Sequence, residues 1–355
     1  MTARIHFRGP LRYRLRSAAA LTQSILEVST RRATNGPRRP NWTWFVEVAT
    51  ELAKRQTLTA FQMAKENVRE ARLYLDSMVI LSPELSETEI TPEVQKRFSG
   101  SWFVAKNLGA ENKESPVTVL YFHGGGYSFY PRAYSNFIAL LTQVAKSRTF
   151  ALDYRLSPEH RFPEQLDDAL NAYGWLLDTR VAPDRLILAG DSAGANLVLA
   201  LLQAVRDARL PLPALTIAIS PPTDFEAELP EIESSGKSEI DWISKTMLEQ
   251  WSKWFCDAAE SRNPLVSPLW ADLRGLPHIY IQAGRSEILY PSIQAFANRA
   301  LEQDADVLLE SWENMTHDFQ IFGLDSPPSA DALRRIGQVI DVRVRKQMNR
   351  EAVKS

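Results

Sequence analysis

Five residues, Gly190-Asp191-Ser192-Ala193-Gly194, carry the sharpest chemical signal in the chain. They follow the apolar run Leu186 to Ala189 and precede a helical pattern that begins near Ala195. A strand that turns sharply into a helix lifts the serine at the turn into a cleft, and the tightness of the turn leaves no room for side chains two residues to either side of it. The helix N-terminus that follows aims backbone N–H groups, that of Ala193 among them, at any negative charge developing beside Ser192. The chemistry this allows is nucleophilic attack by a serine hydroxyl on a carbonyl.

A serine hydroxyl needs a base. The chain offers five histidines, His6, His123, His160, His278 and His317. His6 lies in a basic arm, His123 belongs to a glycine run, His160 precedes the turn, and His278 opens a strand with its side chain directed away from the cleft. His317 remains, in a loop just past the carboxyl end of the last strand run, Val307 to Trp312. The third partner is a carboxylate between Ser192 and His317 in the chain, able to hold the imidazole tautomer. Glu287 leaves the sheet just past the strand run Ile279 to Ala283, at the same end as Ser192, whereas Asp304 and Asp306 precede the last strand and belong to the opposite end. A second glycine run, His123-Gly124-Gly125-Gly126, follows the strand run Val117 to Phe122. Consecutive glycines free a backbone to turn several N–H groups toward one point. Gly124, Gly125 and Ala193 are the expected oxyanion donors.

These residues need a scaffold, and at 355 residues with a 45% apolar fraction the chain can fill a large core. From Trp42 to about Met78 apolar residues recur every three or four positions, as in helices. After Gly100 short β-rich runs alternate with helical ones: Trp102 to Lys106, Val117 to Phe122, Thr149 to Tyr154, Leu186 to Ala189, Leu215 to Ser220, Ile279 to Ala283 and Val307 to Trp312. Several are continuously apolar, the pattern of a parallel sheet covered on both faces. The fold class expected is α/β, doubly wound. An insertion from about Asp224 to Arg262, rich in tryptophan, interrupts the rhythm where it could cover a site at the carboxyl ends of the strands. The domain division expected is a basic arm with cap helices over 1–98 and a catalytic unit over 99–350, carrying the cap insertion at 224–262.

The motifs His123-Gly-Gly-Gly, Gly190-Asp-Ser-Ala-Gly, and Asp153-Tyr-Arg-Leu-Ser-Pro-Glu159 followed by Phe162-Pro163 resemble those of the hormone-sensitive-lipase family of carboxylesterases, over about residues 100 to 345. The resemblance implies an α/β-hydrolase fold with an eight-stranded, mostly parallel sheet and an N-terminal helical cap, ester hydrolysis without a cofactor, and frequent dimers. It implies the same roles for Ser192, His317, Gly124, Gly125 and Ala193. Two departures stand out: Glu287 occupies the place of the family's aspartate, and Pro291 that of a later acid. Arg155 and Glu159 are expected to tie their loop together by charge-assisted bonds, with Pro158 and Pro163 stiffening it.

Composition narrows the partners. With 41 basic and 43 acidic residues there is no overall charge to attract nucleic acid, so a small neutral ligand is expected, which the resemblance narrows to a small ester. A lone Cys256 excludes an internal disulfide and a cysteine-based metal cluster, and slightly favours a reducing, cytoplasmic setting. No metal is expected. No run reaches the ~20 apolar residues of a spanning helix. The first forty residues hold nine arginines against Glu27. They read as a solvated arm, with a transit peptide or a helix lying on a membrane surface as the alternatives. Two rival functions use the same scaffold: an acyltransferase on the same triad, and a binding protein that does no chemistry.

Overall fold

The computed structural model describes residues 4–107, 117–226 and 240–345. In chain order its elements are β1 (Arg4–Phe7), α1 (Leu11–Asn35), α2 (Trp44–Glu66), α3 (Val68–Leu75), β2 (Met78–Leu81), a single turn α4 (Pro83–Ser86), β3 (Thr88–Val94), β4 (Ser99–Ala105), β5 (Thr118–Phe122), α5 (Tyr134–Ala145), β6 (Arg148–Leu152), α6 (Glu164–Asp178), β7 (Leu186–Asp191), α7 (Ala193–Asp207), β8 (Leu215–Ile219), α8 (Lys245–Phe255), β9 (Ile279–Gly284), α9 (Tyr290–Glu302), β10 (Val307–Trp312) and α10 (Pro327–Ile340). The apolar runs read from the sequence all become strands. Every residue of β5, β7, β8 and β9 is buried, which is why those runs are continuous rather than alternating.

Eight strands form one sheet in the order β10-β9-β8-β7-β5-β6-β4-β3. The strands from β6 to β10 are parallel, and β4 and β3 close one edge antiparallel. The chain leaves β5 for β6 on one side and then returns past β5 to β7, so the winding direction reverses between β5 and β7. Loops leaving the carboxyl ends of two such strands diverge and open a crevice. Phe122 of β5 stands opposite Gly190 of β7, so the glycine run and the serine turn leave the sheet side by side at that crevice.

The edge strand β3 was not among the strand runs. Its sequence, TEITPEV, is polar and mostly exposed, and Pro92 is tolerated because an edge strand need not donate on its outer side.

The first forty residues are a second correction. From residue 4 onward they are not a solvated arm: α1 is a 25-residue helix that buries Tyr13, Ser17, Ala20, Ser24 and Val28 at helical spacing. The buried face is mostly small and polar, so hydropathy did not reveal it. Ser17 instead shares a hydrogen bond of 2.7 Å with Ser77. The arginines find acids on the next helices: Arg31 and Arg32 pair with the buried Glu47, and Arg12 with Glu70. No helix among the described residues is long and apolar enough to cross a membrane.

Arg155 and Glu159 both form charge-assisted bonds, with partners outside their own loop. Arg155 donates to Asp168 at 2.9 Å and pairs with Glu164, both on α6. Glu159 receives both terminal nitrogens of Arg72 on α3 at 2.8 Å. Arg72 also donates to the carbonyls of Ser128 and Ser157, each at 2.9 Å, so one guanidinium pins the N-terminal helices to the loops behind the glycine run.

Candidate active site

The turn from β7 into α7 holds Ser192 at φ 50°, ψ −122°, a conformation that costs energy for a residue with a side chain and clusters at functional sites. Its N–H is anchored to the carbonyl of Ile219 at the end of β8 (2.8 Å). A Cβ at Gly190 would lie 2.6 Å from the backbone of Gly194 and 2.8 Å from the carbonyl oxygen of Phe122. Both glycines are therefore steric requirements of the turn.

His317 follows β10 and is 1% exposed. Its Nε2 lies 2.8 Å from Ser192 Oγ and its Nδ1 3.3 Å from Glu287 Oε2. The structure thus brings together Ser192, His317 and Glu287, which are far apart in sequence. Glu287 is fully buried, and burial, ahead of the opposing pull of His317, pushes its carboxyl up to about 7. The other histidines are elsewhere. His160 contacts Glu164, His278 contacts Asp306 at the far end of the sheet, and His123 is stacked between Tyr130 and Tyr154, where burial lowers it to about 3.

The glycine run departs from expectation at Gly124. Its N–H donates to the carboxylate of Asp191 (3.0 Å), so it is engaged in the scaffold and is not free for an oxyanion. Tyr121 and Tyr134 bond the same carboxylate, and a Cβ at Gly124 would lie 2.5 Å from the Tyr134 hydroxyl. Gly125 and Gly126 both have positive φ, 102° and 59°, the irregular backbone in which successive N–H groups can converge. Gly126 and Ala193 line the cavity beside Ser192.

Three aspartates around the site were not singled out from sequence as site groups. Asp191, inside the serine motif, is fully buried. Desolvation first, and then the charge of Asp318, raise it to about 8. Asp318 puts an oxygen 3.1 Å from His317 Nε2, a close charge contact beside the Ser192 hydrogen bond. Burial by itself would lower the pKa of His317, but Asp318 and Glu287 outweigh it and hold the imidazole well above its usual value. Asp241 belongs to the insertion and contacts the backbone on either side of the site.

A cavity of about 770 Å³ opens beside Ser192. Leu248 and Trp251 of α8, Phe225, Leu289 and Pro291 give it apolar walls, and Lys245, Glu226 and Glu249 add charge. Trp251 also packs against Gly126, where a Cβ would come within 2.6 Å of the indole. Residues 227–239 of the insertion lie outside the described residues.

A sequence profile of the α/β-hydrolase fold family matches residues 119–321. An acetyl-hydrolase of Streptomyces hygroscopicus is 38% identical over 201 residues, 56% of this chain and 67% of that protein. An esterase of Acinetobacter venetianus is 30% identical over 272 residues, 75% of this chain and 86% of its own length. Among solved structures, an esterase of the bacterial hormone-sensitive-lipase family superposes with a TM-score of 0.70 at 29% identity, over 92% of this chain and 98% of that one. EstE5, solved after soaking with p-nitrophenyl butyrate, superposes with a TM-score of 0.71 at 26% identity, over 81% and 98% of the two chains. With its strand order, its serine turn and these relatives in agreement, the chain belongs to the α/β-hydrolase family, among the carboxylic ester hydrolases of the hormone-sensitive-lipase type.

Proposed function

We propose that this hydrolase cleaves small to medium, partly apolar esters through an acyl-enzyme on Ser192. The observation that carries the reading is the continuous contact from Ser192 Oγ to His317 Nε2 at 2.8 Å and from His317 Nδ1 to Glu287. Neutral His317, with its proton on Nδ1 facing Glu287, accepts the serine proton at Nε2 as Oγ attacks the ester carbonyl. Negative charge passes to the carbonyl oxygen, where the N–H groups of Gly125, Gly126 and Ala193 receive it. The protonated Nε2 then donates to the leaving alkoxide, so the alcohol departs neutral and Ser192 is acylated. Water, deprotonated by the same nitrogen, attacks the acyl carbon and restores Ser192. Glu287 keeps the tautomer and stabilises the imidazolium. We assign the N-terminal helices and α8 to a cap over this site.

The cavity volume falls within the range of small-molecule sites, and Phe225, Leu248, Trp251 and Leu289 give it apolar walls. Turnover of p-nitrophenyl acetate, butyrate, octanoate and palmitate measures the pocket. Short and medium chains are expected to lead, with kcat/KM for the palmitate lower by at least about tenfold, which corresponds to about 1.4 kcal/mol. A profile that rises steadily to the palmitate contradicts the assigned substrate class. An acyltransferase would be revealed by ester products that form with an added alcohol at the expense of free acid.

The outer face of α1 supports contact with an anionic lipid surface. Leu11, Leu15 and Leu26 are each more than 60% exposed and lie opposite the buried face. Arg8, Arg12, Arg14 and Arg16 crowd the N-terminal end of the helix, beside Leu11 and Leu15. Exposed leucines beside clustered arginines favour insertion at a negatively charged interface. Flotation with phosphatidylglycerol vesicles is expected to carry the protein at low salt and to fall by at least about tenfold when the three leucines become serine, given ~1 kcal/mol or more per buried side chain. Equal flotation of the variant would sink the idea.

A further inference from the structure

Asp241 and Trp242 come from the tryptophan-rich insertion, outside the sheet and outside the motifs read from sequence. Asp241 is fully buried, and each of its carboxylate oxygens is used. One oxygen accepts the backbone N–H of His317 (3.0 Å) and that of Trp242 (2.9 Å). The other accepts the N–H of Ile288 (2.8 Å), the residue next to Glu287. A single carboxylate therefore ties the loop after β9 to the loop after β10, the two segments that carry the acid and the base. Trp242 grips the other side of the same residue, with its indole Nε1 donating to the carbonyl of His317 at 2.6 Å and its ring tilted toward the imidazole at 5.3 Å between centroids.

Each half of this arrangement has a physical reason. A buried carboxylate is costly unless several donors face it, and three backbone N–H groups do so. A base must hold its position to within a fraction of an ångström to accept a proton in flight. The loop carrying His317 has left the sheet, and β10 is the last strand of its edge, so strand pairing cannot position it. We infer that Asp241 and Trp242 form a clamp that positions His317 against Ser192 and Glu287, so that the alignment of the base depends on two residues outside the sheet. The clamp acts through His317 and touches no substrate. It rests on the assignment of His317 as the base.

The test compares wild type, Asp241→Asn and Trp242→Phe, by kcat and KM on p-nitrophenyl butyrate across pH, with thermal unfolding alongside. Asparagine keeps one acceptor oxygen but turns an amide N–H₂ toward a backbone N–H that needs an acceptor. It also removes a negative charge near an imidazole already faced by Glu287 on the loop after β9 and by Asp318 on its own loop, with Asp191 behind Asp318. Asp241→Asn is expected to lower kcat by about 30-fold or more, to leave KM within about twofold, and to move the acid limb of the rate profile to lower pH. Trp242→Phe, which keeps the ring and loses the N–H, is expected to lower kcat several-fold while the protein stays folded. Folded variants with kcat unchanged would overturn the proposal. So would a loss confined to KM or an acid limb that does not move, since a merely structural contact predicts those. If wild type itself fails to hydrolyse the ester, the triad assignment fails first, and the variants are not needed to see it.

Discussion

Ser192→Ala is expected to abolish ester turnover, lowering kcat by at least about 10⁴-fold while leaving the protein folded. The magnitude follows from the way a serine triad works: without the nucleophile the remaining partners act on water alone, and only substrate binding and the oxyanion donors still contribute. Folding should be little affected, because the Ser192 side chain lines an open cavity and the strain at φ 50° is imposed by the backbone contacts of Gly190 and Gly194. Circular dichroism and a melting curve on the variant establish that the fold is intact. A folded Ser192→Ala protein retaining a tenth of wild-type kcat would place the nucleophile elsewhere.

Glu287→Gln is expected to cost about 10² to 10⁴-fold in kcat, because a neutral amide cannot stabilise the imidazolium and can hold the wrong tautomer. Its pH behaviour is the more informative part. The base must be neutral to act, and in the folded protein His317 is held above its ordinary value by Asp318 and Glu287 against the effect of burial. Activity of the wild type is therefore lost as pH falls through that raised value, and the acid limb lies on the alkaline side of an ordinary imidazole, above about pH 6.5. Removing the Glu287 charge should move the limb toward lower pH even as the plateau falls. Steady-state kinetics from pH 5 to pH 10 read both effects. A plateau unchanged in Glu287→Gln would show that Glu287 is not the acid, and Asp241 or Asp318 would have to be tested in its place.

Part of this site was legible in the sequence because its signals are local. Gly190 and Gly194 are demanded by one turn, and Ser192 sits between them. His317 and Glu287 could be read because the continuously apolar strands mark the ends of the sheet, and only groups leaving the correct end can meet. Gly124 was misread for a reason of the same kind. The glycine run signals irregular backbone without saying which N–H points outward, and that depends on the buried carboxylate of Asp191, whose two tyrosine partners come from β5 and α5. Asp241 carried no signal at all, since an isolated aspartate in an insertion looks like a solvated one until the fold buries it, and Asp318 stood out only as the neighbour of His317. The same holds for α1, whose buried stripe of serine and alanine has no hydropathy to betray it, and for β3, a polar edge strand that only its pairing with β4 defines.

The claim on which the rest depends is that an acyl group passes through Ser192. Intact-mass spectrometry of the protein quenched in acid within the first turnovers of p-nitrophenyl butyrate, followed by peptide mapping, tests it directly. A transient mass increase corresponding to one butyryl group is expected, located on the peptide containing Gly190 to Gly194 and absent in Ser192→Ala. Turnover with no acyl adduct on that peptide under conditions where deacylation is slowed, or an adduct on another residue, would contradict it.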